Sequence, residues 1–369
     1  MLNHPNSDKK IFFFCQRQGT PECAAFQHSI IVIAEGLRKL GISYYSDKNY
    51  WRLSPDALDC LFTHDADVTA DDCDVVVVNA DWMHYQNALP KDLFHENRKY
   101  VTVYIDDDDG LYTHSMAPLF RNFDVILRTH YDRKHIYPKN MLPWQFGFSE
   151  RVVGALGEYV EYNDRPGGAL CNFRMQHSVR EYVNKFFLPR FEQLFPVDFQ
   201  KDGQPDLATD QYSKMLWEQT GKRHYPNYFK KLKENKVSLA FGGYFSSFYP
   251  RSASSVLLRK INSFIKRFNL KTSTVTQFDS WRFWESLVAG CVTIHIDLAK
   301  YGAVLPVMPE NWKHYVGIDL DDIDGSIIAI KNNLHKFPEI ARSGREWVLS
   351  NYSPVSVAER FMKIVSKLP

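Results

Sequence analysis

The densest chemistry in this 369-residue chain lies in Gln277-Phe278-Asp279-Ser280-Trp281-Arg282-Phe283-Trp284-Glu285-Ser286-Leu287-Val288-Ala289-Gly290-Cys291-Val292-Thr293-Ile294. Ser280 is a residue type that caps helix starts, and the spacing predicts a helix over Ser280 to Ala289. Arg282 and Glu285, three residues apart, then occupy neighbouring positions of one face in an exposed first turn. Gly290 stops the helix and a buried strand follows. Such a helix start offers unpaired N–H groups and a partial positive charge to phosphates. Arg282 adds a bidentate contact, and Glu285 can accept from a ribose diol. Together they make a grip for a nucleoside diphosphate. A cap with a surface ion pair has the same spacing, so spacing leaves both readings open.

The second concentration of charge is Asp106-Asp107-Asp108-Asp109. Three uses fit it: hard-oxygen ligands for a divalent metal, a solvent-facing acidic loop, or a carboxylate that deprotonates an incoming hydroxyl. Glu22, His28, Asp81, His84, His114 and His130 are further candidates for that base, and a structural or surface role suits any one of the histidines. The six cysteines (Cys15, Cys23, Cys60, Cys73, Cys171, Cys291) include no CxxC pair and no His partner at zinc-ligand spacing. Reduced thiols in a cytoplasmic compartment fit them.

These residues need elements to position them, and the chain alternates strand and helix signals throughout. Ile11 to Cys15 reads as a buried strand, Ala24 to Leu40 as a helix stopped by Gly41, and Ile42 to Tyr45 as a strand. Asp74 to Asn79, Tyr100 to Ile105 and Phe123 to Leu127 are apolar, β-branched runs of the kind buried in parallel sheets. Ligands gather at the carboxyl ends of such strands. The turn-rich Asn163 to Gly168 marks a boundary. Beyond it come a strand over Ala169 to Phe173, a helix from Ser178 to Phe195, a polar stretch from Val197 to Pro226, and strands over Val237 to Phe241, Val292 to Ile296 and Tyr315 to Ile318. Asn351 to Leu368 is helical in period and suited to cross between lobes.

The length favours two domains, with a cleft between them. Lys plus Arg number 45 against 43 Asp plus Glu, which argues against a nucleic-acid binder working by bulk charge. Any anion site must be local. No run approaches the roughly 20 apolar residues of a membrane span. The Lys9 to Phe14 stretch is too short for a signal peptide, since Gln16, Arg17 and Gln18 break it. Trp51, Trp82, Trp144 and Trp217 suit carbohydrate stacking as well as core.

The S-x-R-x-x-E-(S/A)-x-x-x-G-C-V-x-I segment resembles the C-terminal signature of exostosin-type glycosyltransferases and the E-x-x-x-x-G element of GT-B and spore-maturation glycosyltransferase-like proteins. Upstream, Tyr228 to Leu232 followed by Lys236 to Gly243 looks like that group's helix, strand and glycine loop, and Phe173 with Arg180 like the start of its donor domain. The resemblance implies an α/β GT-B fold of two Rossmann-like domains facing a cleft: an acceptor-side domain over 1–160, a donor domain over 161–350, and a C-terminal helix over 351–369 crossing back. It implies a nucleotide-sugar donor and a glycan or other hydroxyl acceptor, as in polysaccharide biosynthesis. Arg282 would hold the diphosphate and Glu285 the ribose, with Ser280, Gly242, Gly243 and Tyr244 nearby and Arg174, Arg180 and Arg251 as auxiliaries. The long insertion between Gly243 and Ser280 departs from the pattern.

The transfer is expected to be inverting and independent of metal or other cofactor, with a base drawn from Asp107, Asp108, Asp109 or Glu22. No nucleic-acid partner is expected. A cytoplasmic protein is expected, and peripheral membrane association is compatible with it. A retaining enzyme would show the same donor motif. No G-x-G-x-x-G follows a strand, which argues against a Rossmann dehydrogenase. A non-catalytic nucleotide- or sugar-binding protein with a degenerate transferase fold is the alternative.

Overall fold

The computed structural model describes residues 9–15, 28–55, 59–86, 88–107, 114–173, 175, 177–199, 210–246 and 274–368. The first half runs β1 (Ile11–Phe13), α1 (His28–Leu40), β2 (Tyr44–Ser46), an antiparallel pair β3 (Tyr50–Arg52) and β4 (Cys60–Phe62), β5 (Val75–Asn79), α2 (Ala80–Gln86), β6 (Val101–Asp106), β7 (Val125–Arg128), β8 (Met141–Pro143) and α3 (Glu150–Leu156). Its parallel sheet has the order β2-β1-β5-β6-β7-β8. β5 is buried along its whole length, as its run of four valines requires.

The second half contains β9 (Gly167–Cys171), α4 (Ser178–Phe186), β10 (Val197–Phe199), α5 (Gln211–Gln219), α6 (Pro226–Glu234), β11 (Asn235–Leu239), an antiparallel pair β12 (Tyr244–Phe245) and β13 (Val275–Thr276), and α7 (Trp281–Ala289). β14 (Val292–Ile296), α8 (Leu298–Tyr301), β15 (Val316–Ile318), α9 (Ile323–Asn332), α10 (Phe337–Tyr352) and α11 (Pro354–Val365) follow. Its parallel sheet has the order β10-β9-β11-β14-β15.

Both sheets repeat one logic. The chain first adds a strand on one side (β1 to β2, β9 to β10), then turns back to build the other side, so each sheet has a switch point, at β1/β5 and β9/β11. Crevices open there at the carboxyl ends of the strands.

Two later segments complete the first lobe. Val357, Ala358, Phe361, Met362 and Val365 of α11 join the core formed by Ile30, Ile33 and Leu37 of α1. α1 is therefore covered on both sides, and its residues from His28 to Leu37 are all buried. Gly36 permits the approach: a Cβ there would lie 1.9 Å from the Pro354 carbonyl oxygen. α5 belongs to the same core through Met215 and Leu216, and Gln219 exchanges two 3.0 Å hydrogen bonds with the Arg52 main chain.

The polar stretch from Val197 to Pro226 holds a strand and a helix, the latter capped by Asp210 accepting from the Ser213 amide at 2.7 Å. The helix expected from Ser178 to Phe195 is broken after Phe186, where Pro189 has no N–H with which to continue it, and resumes as a short helix over Leu188–Phe191. Near the turn-rich boundary, buried Arg165 donates to Leu232 O and Asn235 O at the end of α6 and to Ala289 O at the end of α7. A cation at two helix C-termini suits their partial negative charge.

Candidate active site

α7 begins at the carboxyl end of β11. Ser280 takes the N-cap position with extended backbone, but its hydroxyl donates to Ala240 O at 3.3 Å and does not cap the helix. The first-turn amides therefore lack a side-chain acceptor, which corrects the expected capping role. Glu285 is not exposed either. α7 buries it, and its Oε2 accepts from the Tyr228 hydroxyl at 2.9 Å. Burial pushes its carboxyl pKa up, while Arg151 and Arg282 oppose that rise.

Arg282 lies over the Tyr228 ring, 5.7 Å from its centroid, and Nη2 donates to Asn172 Oδ1 at 3.1 Å. The pair Arg282 and Glu285 is thus joined through Tyr228 and makes no direct ion pair. Asn172 comes from the end of β9 and Ser280 touches the end of β11, so these contacts sit at the switch point of the second sheet.

The glycine turn is held from both sides. Gly243 has φ of 103°, its N–H donates to His177 Nδ1 at 3.0 Å, and its carbonyl accepts from the Val179 amide at 3.3 Å. Its amide is consequently engaged and not free for a ligand. A Cβ on Gly242 would meet Ser280 Cβ at 3.0 Å, so that glycine serves the packing of the turn against the start of α7. Tyr244 stacks on His177 at 4.5 Å. Buried Arg180 donates through Nε to Phe241 O at 2.7 Å. Burial, then the charges of Arg180 and Arg282, hold the His177 imidazole down at about 4.

The strand ends of the first sheet meet this region directly. His130, just past β7, takes left-handed backbone with φ of 51°, as does Gln277 with φ of 55°. For residues bearing side chains this costs about 1–2 kcal/mol each. His130 Nδ1 accepts from the Asp279 amide at 3.1 Å, and Nε2 is buried without a partner, as are both polar atoms of the Gln277 side chain. Burial holds the His130 imidazole down at about 3, so it is neutral. His28 lies against Trp281 with ring centroids 4.6 Å apart.

The lobes also meet through main chain, where Val304 N donates to Tyr131 O at 2.8 Å and Arg133 N to Gly302 O at 2.9 Å.

Asp106 is buried and salt-bridged to Arg128, and Ser115 Oγ donates to it at 2.5 Å. It is neither solvent-facing nor available as a ligand. Asp107 is also buried. Asp81, on the first turn of α2 at the β1/β5 switch point, is buried with both carboxylate oxygens unpartnered. Burial, reinforced by the charge of Asp107, pushes it up to about 8. Asp108, Asp109, Glu22, Arg174 and Arg251 lie outside the described residues, as do the side chains of His84 and His114. Sequence reasoning missed His177 and Asp279. A histidine just ahead of a helix that carries Arg180 at its third position was the available signal for the first.

Two parallel sheets, each with a switch point, whose strand-end segments meet at His130 and Asp279 and at Tyr131 and Val304, define a two-lobed α/β protein. Comparison with solved structures places that architecture among the GT-B folds. An alpha-glucosyltransferase in complex with UDP-glucose and DNA containing an abasic site is 11% identical, with a TM-score of 0.51 over 97% of this chain and 99% of that one. AviGT4, a glycosyltransferase involved in avilamycin A biosynthesis, is 11% identical with a TM-score of 0.48 over 98% of each chain. Anabaena HepE in complex with UDP-glucose is 10% identical with a TM-score of 0.44 over 98% of this chain and 100% of that one. The chain has the GT-B fold. No protein-family model matches it, and no curated protein matches its sequence.

Proposed function

We propose that this chain is a nucleotide-sugar-dependent glycosyltransferase that passes a sugar to a hydroxyl acceptor, with inversion and without a metal. The observation that carries the reading is the convergence of Arg180, Arg282, His177 and the uncapped start of α7 at the switch point of the second sheet, with the buried, unpartnered carboxylate of Asp81 at the switch point of the first. The cationic side supplies the charge stabilisation that a departing nucleoside diphosphate needs. An unpartnered carboxylate with a raised pKa suits a base that takes the acceptor proton. Glu285, held by the Tyr228 hydroxyl, is the residue we assign to the ribose. Arginines that neutralise the leaving diphosphate supply the charge a divalent metal would otherwise provide, which is the ground for expecting metal independence.

The test is a donor panel read by release of free nucleoside diphosphate, with and without EDTA. UDP-glucose goes first, because it is the ligand of the solved alpha-glucosyltransferase and HepE structures. Glycans, a membrane-anchored glycolipid and duplex DNA form the acceptor panel, the last because that alpha-glucosyltransferase holds DNA. Turnover that survives EDTA and gives the opposite anomer is expected. Nucleotide binding without turnover on any acceptor would favour a non-catalytic binding protein, and loss on chelation rescued by Mn²⁺ would overturn metal independence.

A further inference from the structure

We propose that His177 is a phosphate-contacting residue of the donor site, acting as a neutral hydrogen-bond donor through Nε2. This inference rests on the transferase reading given above.

The Gly243 amide can only donate, so the His177 Nδ1 that receives it at 3.0 Å must carry a lone pair. The ring's one proton is therefore on Nε2, at the far side from the turn. The orientation is fixed as well: the ring stacks on Tyr244 with an interplanar angle of 21°, and the chain just after it is pinned to the turn by Val179 N to Gly243 O and by Phe245 N to Ser178 Oγ at 2.8 Å. His177 is the N-cap residue of α4 without capping it through its side chain, so its ring is free to serve the turn and whatever lies beyond it.

Its surroundings are positive. Arg180 and Arg282 both act on the ring, and His130, whose buried Nε2 has no partner, lies close enough that the two imidazoles oppose each other's protonation. A ring in that field resists a second proton, so Nε2–H remains a donor of fixed direction across the whole neutral range. Among positive groups the favoured partner of such a donor is an anion, and on the transferase reading that anion is the nucleoside diphosphate. A neutral donor also differs in kind from the two arginines: it contributes direction without adding a charge that must be desolvated.

Three variants separate this role from a purely structural one. Asn at 177 can still accept from the Gly243 amide but has no donor at the Nε2 position. Gln reaches the Nε2 position with an N–H but serves the turn poorly, and Ala does neither. Calorimetric titration with UDP, GDP, ADP and dTDP identifies the nucleotide that the wild type binds, and thermal melting reports the turn. For that nucleotide His177→Asn is expected to melt near the wild type but to bind about tenfold more weakly, the effect of one lost hydrogen bond to a charged group. His177→Gln should recover most of that affinity. If His177→Asn binds as the wild type does, or if affinity follows melting temperature across the three variants, the proposal is wrong while the transferase reading stands. If the wild type binds none of the four, the transferase reading falls and this role falls with it.

Discussion

The main-chain N–H of Asp279, at the entrance to α7, donates to Nδ1 of His130 at the end of β7, 3.1 Å away in the other lobe. The Asp279 carboxylate works on both sides of the same junction: Oδ2 accepts from the Phe146 amide at 3.0 Å and Oδ1 from Trp284 Nε1 at 2.6 Å. One residue thereby fixes the start of α7 relative to the end of β7. All three groups are buried, so the position of α7 is specified by bonds that water does not compete for.

Asp279→Ala leaves two buried donors without an acceptor. The expected cost is about 2–6 kcal/mol, from a penalty of about 1–3 kcal/mol for each of the two orphaned groups. Chemical denaturation reads it directly. A change below about 0.5 kcal/mol would mean that Phe146 N and Trp284 Nε1 find other partners and that the junction does not depend on this carboxylate.

Arg282 and Glu285 call for different substitutions because the structure buries one of them. Glu285→Ala would strand the Tyr228 hydroxyl and confuse folding with function, whereas Glu285→Gln preserves its acceptor. Arg282→Ala and Glu285→Gln are each expected to lose at least about tenfold in turnover with melting temperature little changed, the effect of one charge-assisted contact worth about 1.5–3 kcal/mol. Tyr228→Phe should weaken turnover less, since it frees Glu285 without removing it. Wild-type kinetics in all three would detach this cluster from catalysis.

Much of this was legible in the sequence. The four valines of β5 and the Ser280 to Gly290 bracket around α7 gave strand and helix with ends correct to a residue, because burial on both faces and a left-handed glycine leave local marks. Which face of α7 is covered leaves none: the spacing of Arg282 and Glu285 is the same whether or not α6 lies over them. His177 and Asp279 were missed for a related reason. Their partners Gly243 and His130 are 66 and 149 residues away, and only the convergence of strand ends brings them together. α5 hid in a polar stretch because Met215 and Leu216 serve the core of the other lobe.

Asp81 sets an expectation for the pH profile. As a base it works only when ionised, and its pKa in the fold is about 8, so turnover should climb with pH through neutrality and level off above about 8. Asp81→Asn should lower turnover by about 10²–10⁴-fold with nucleotide affinity kept. The two measurements together decide the assignment. A flat profile in the wild type, or an unchanged climb in Asp81→Asn, would pass the role to another group of the first lobe.

Glu35 provides a test of stability that is independent of catalysis. It lies on the buried α1, where its Oε2 accepts from the Glu150 amide at 2.8 Å, and burial pushes its carboxyl from 4.5 up to about 8. Below pH 4.5 the folded and unfolded chains both hold this proton, and no penalty exists. Between 4.5 and about 8 the unfolded chain releases it and the folded chain keeps it, so stability drains away as pH rises, by about 1.4 kcal/mol per pH unit. Above about 8 both forms are ionised and the penalty is constant. Glu35→Gln retains an acceptor for Glu150 and removes the titration. Relative to wild type it should be nearly neutral at pH 4.5, more stable by up to about 3 kcal/mol at pH 7, and level beyond pH 8. Denaturation curves at those three pH values give the difference free of other titrating groups, because every other group is common to both proteins. A difference that does not grow between pH 4.5 and 7 would show that Glu35 is ionised within the fold at neutral pH, with Arg151 and Lys39 compensating its burial.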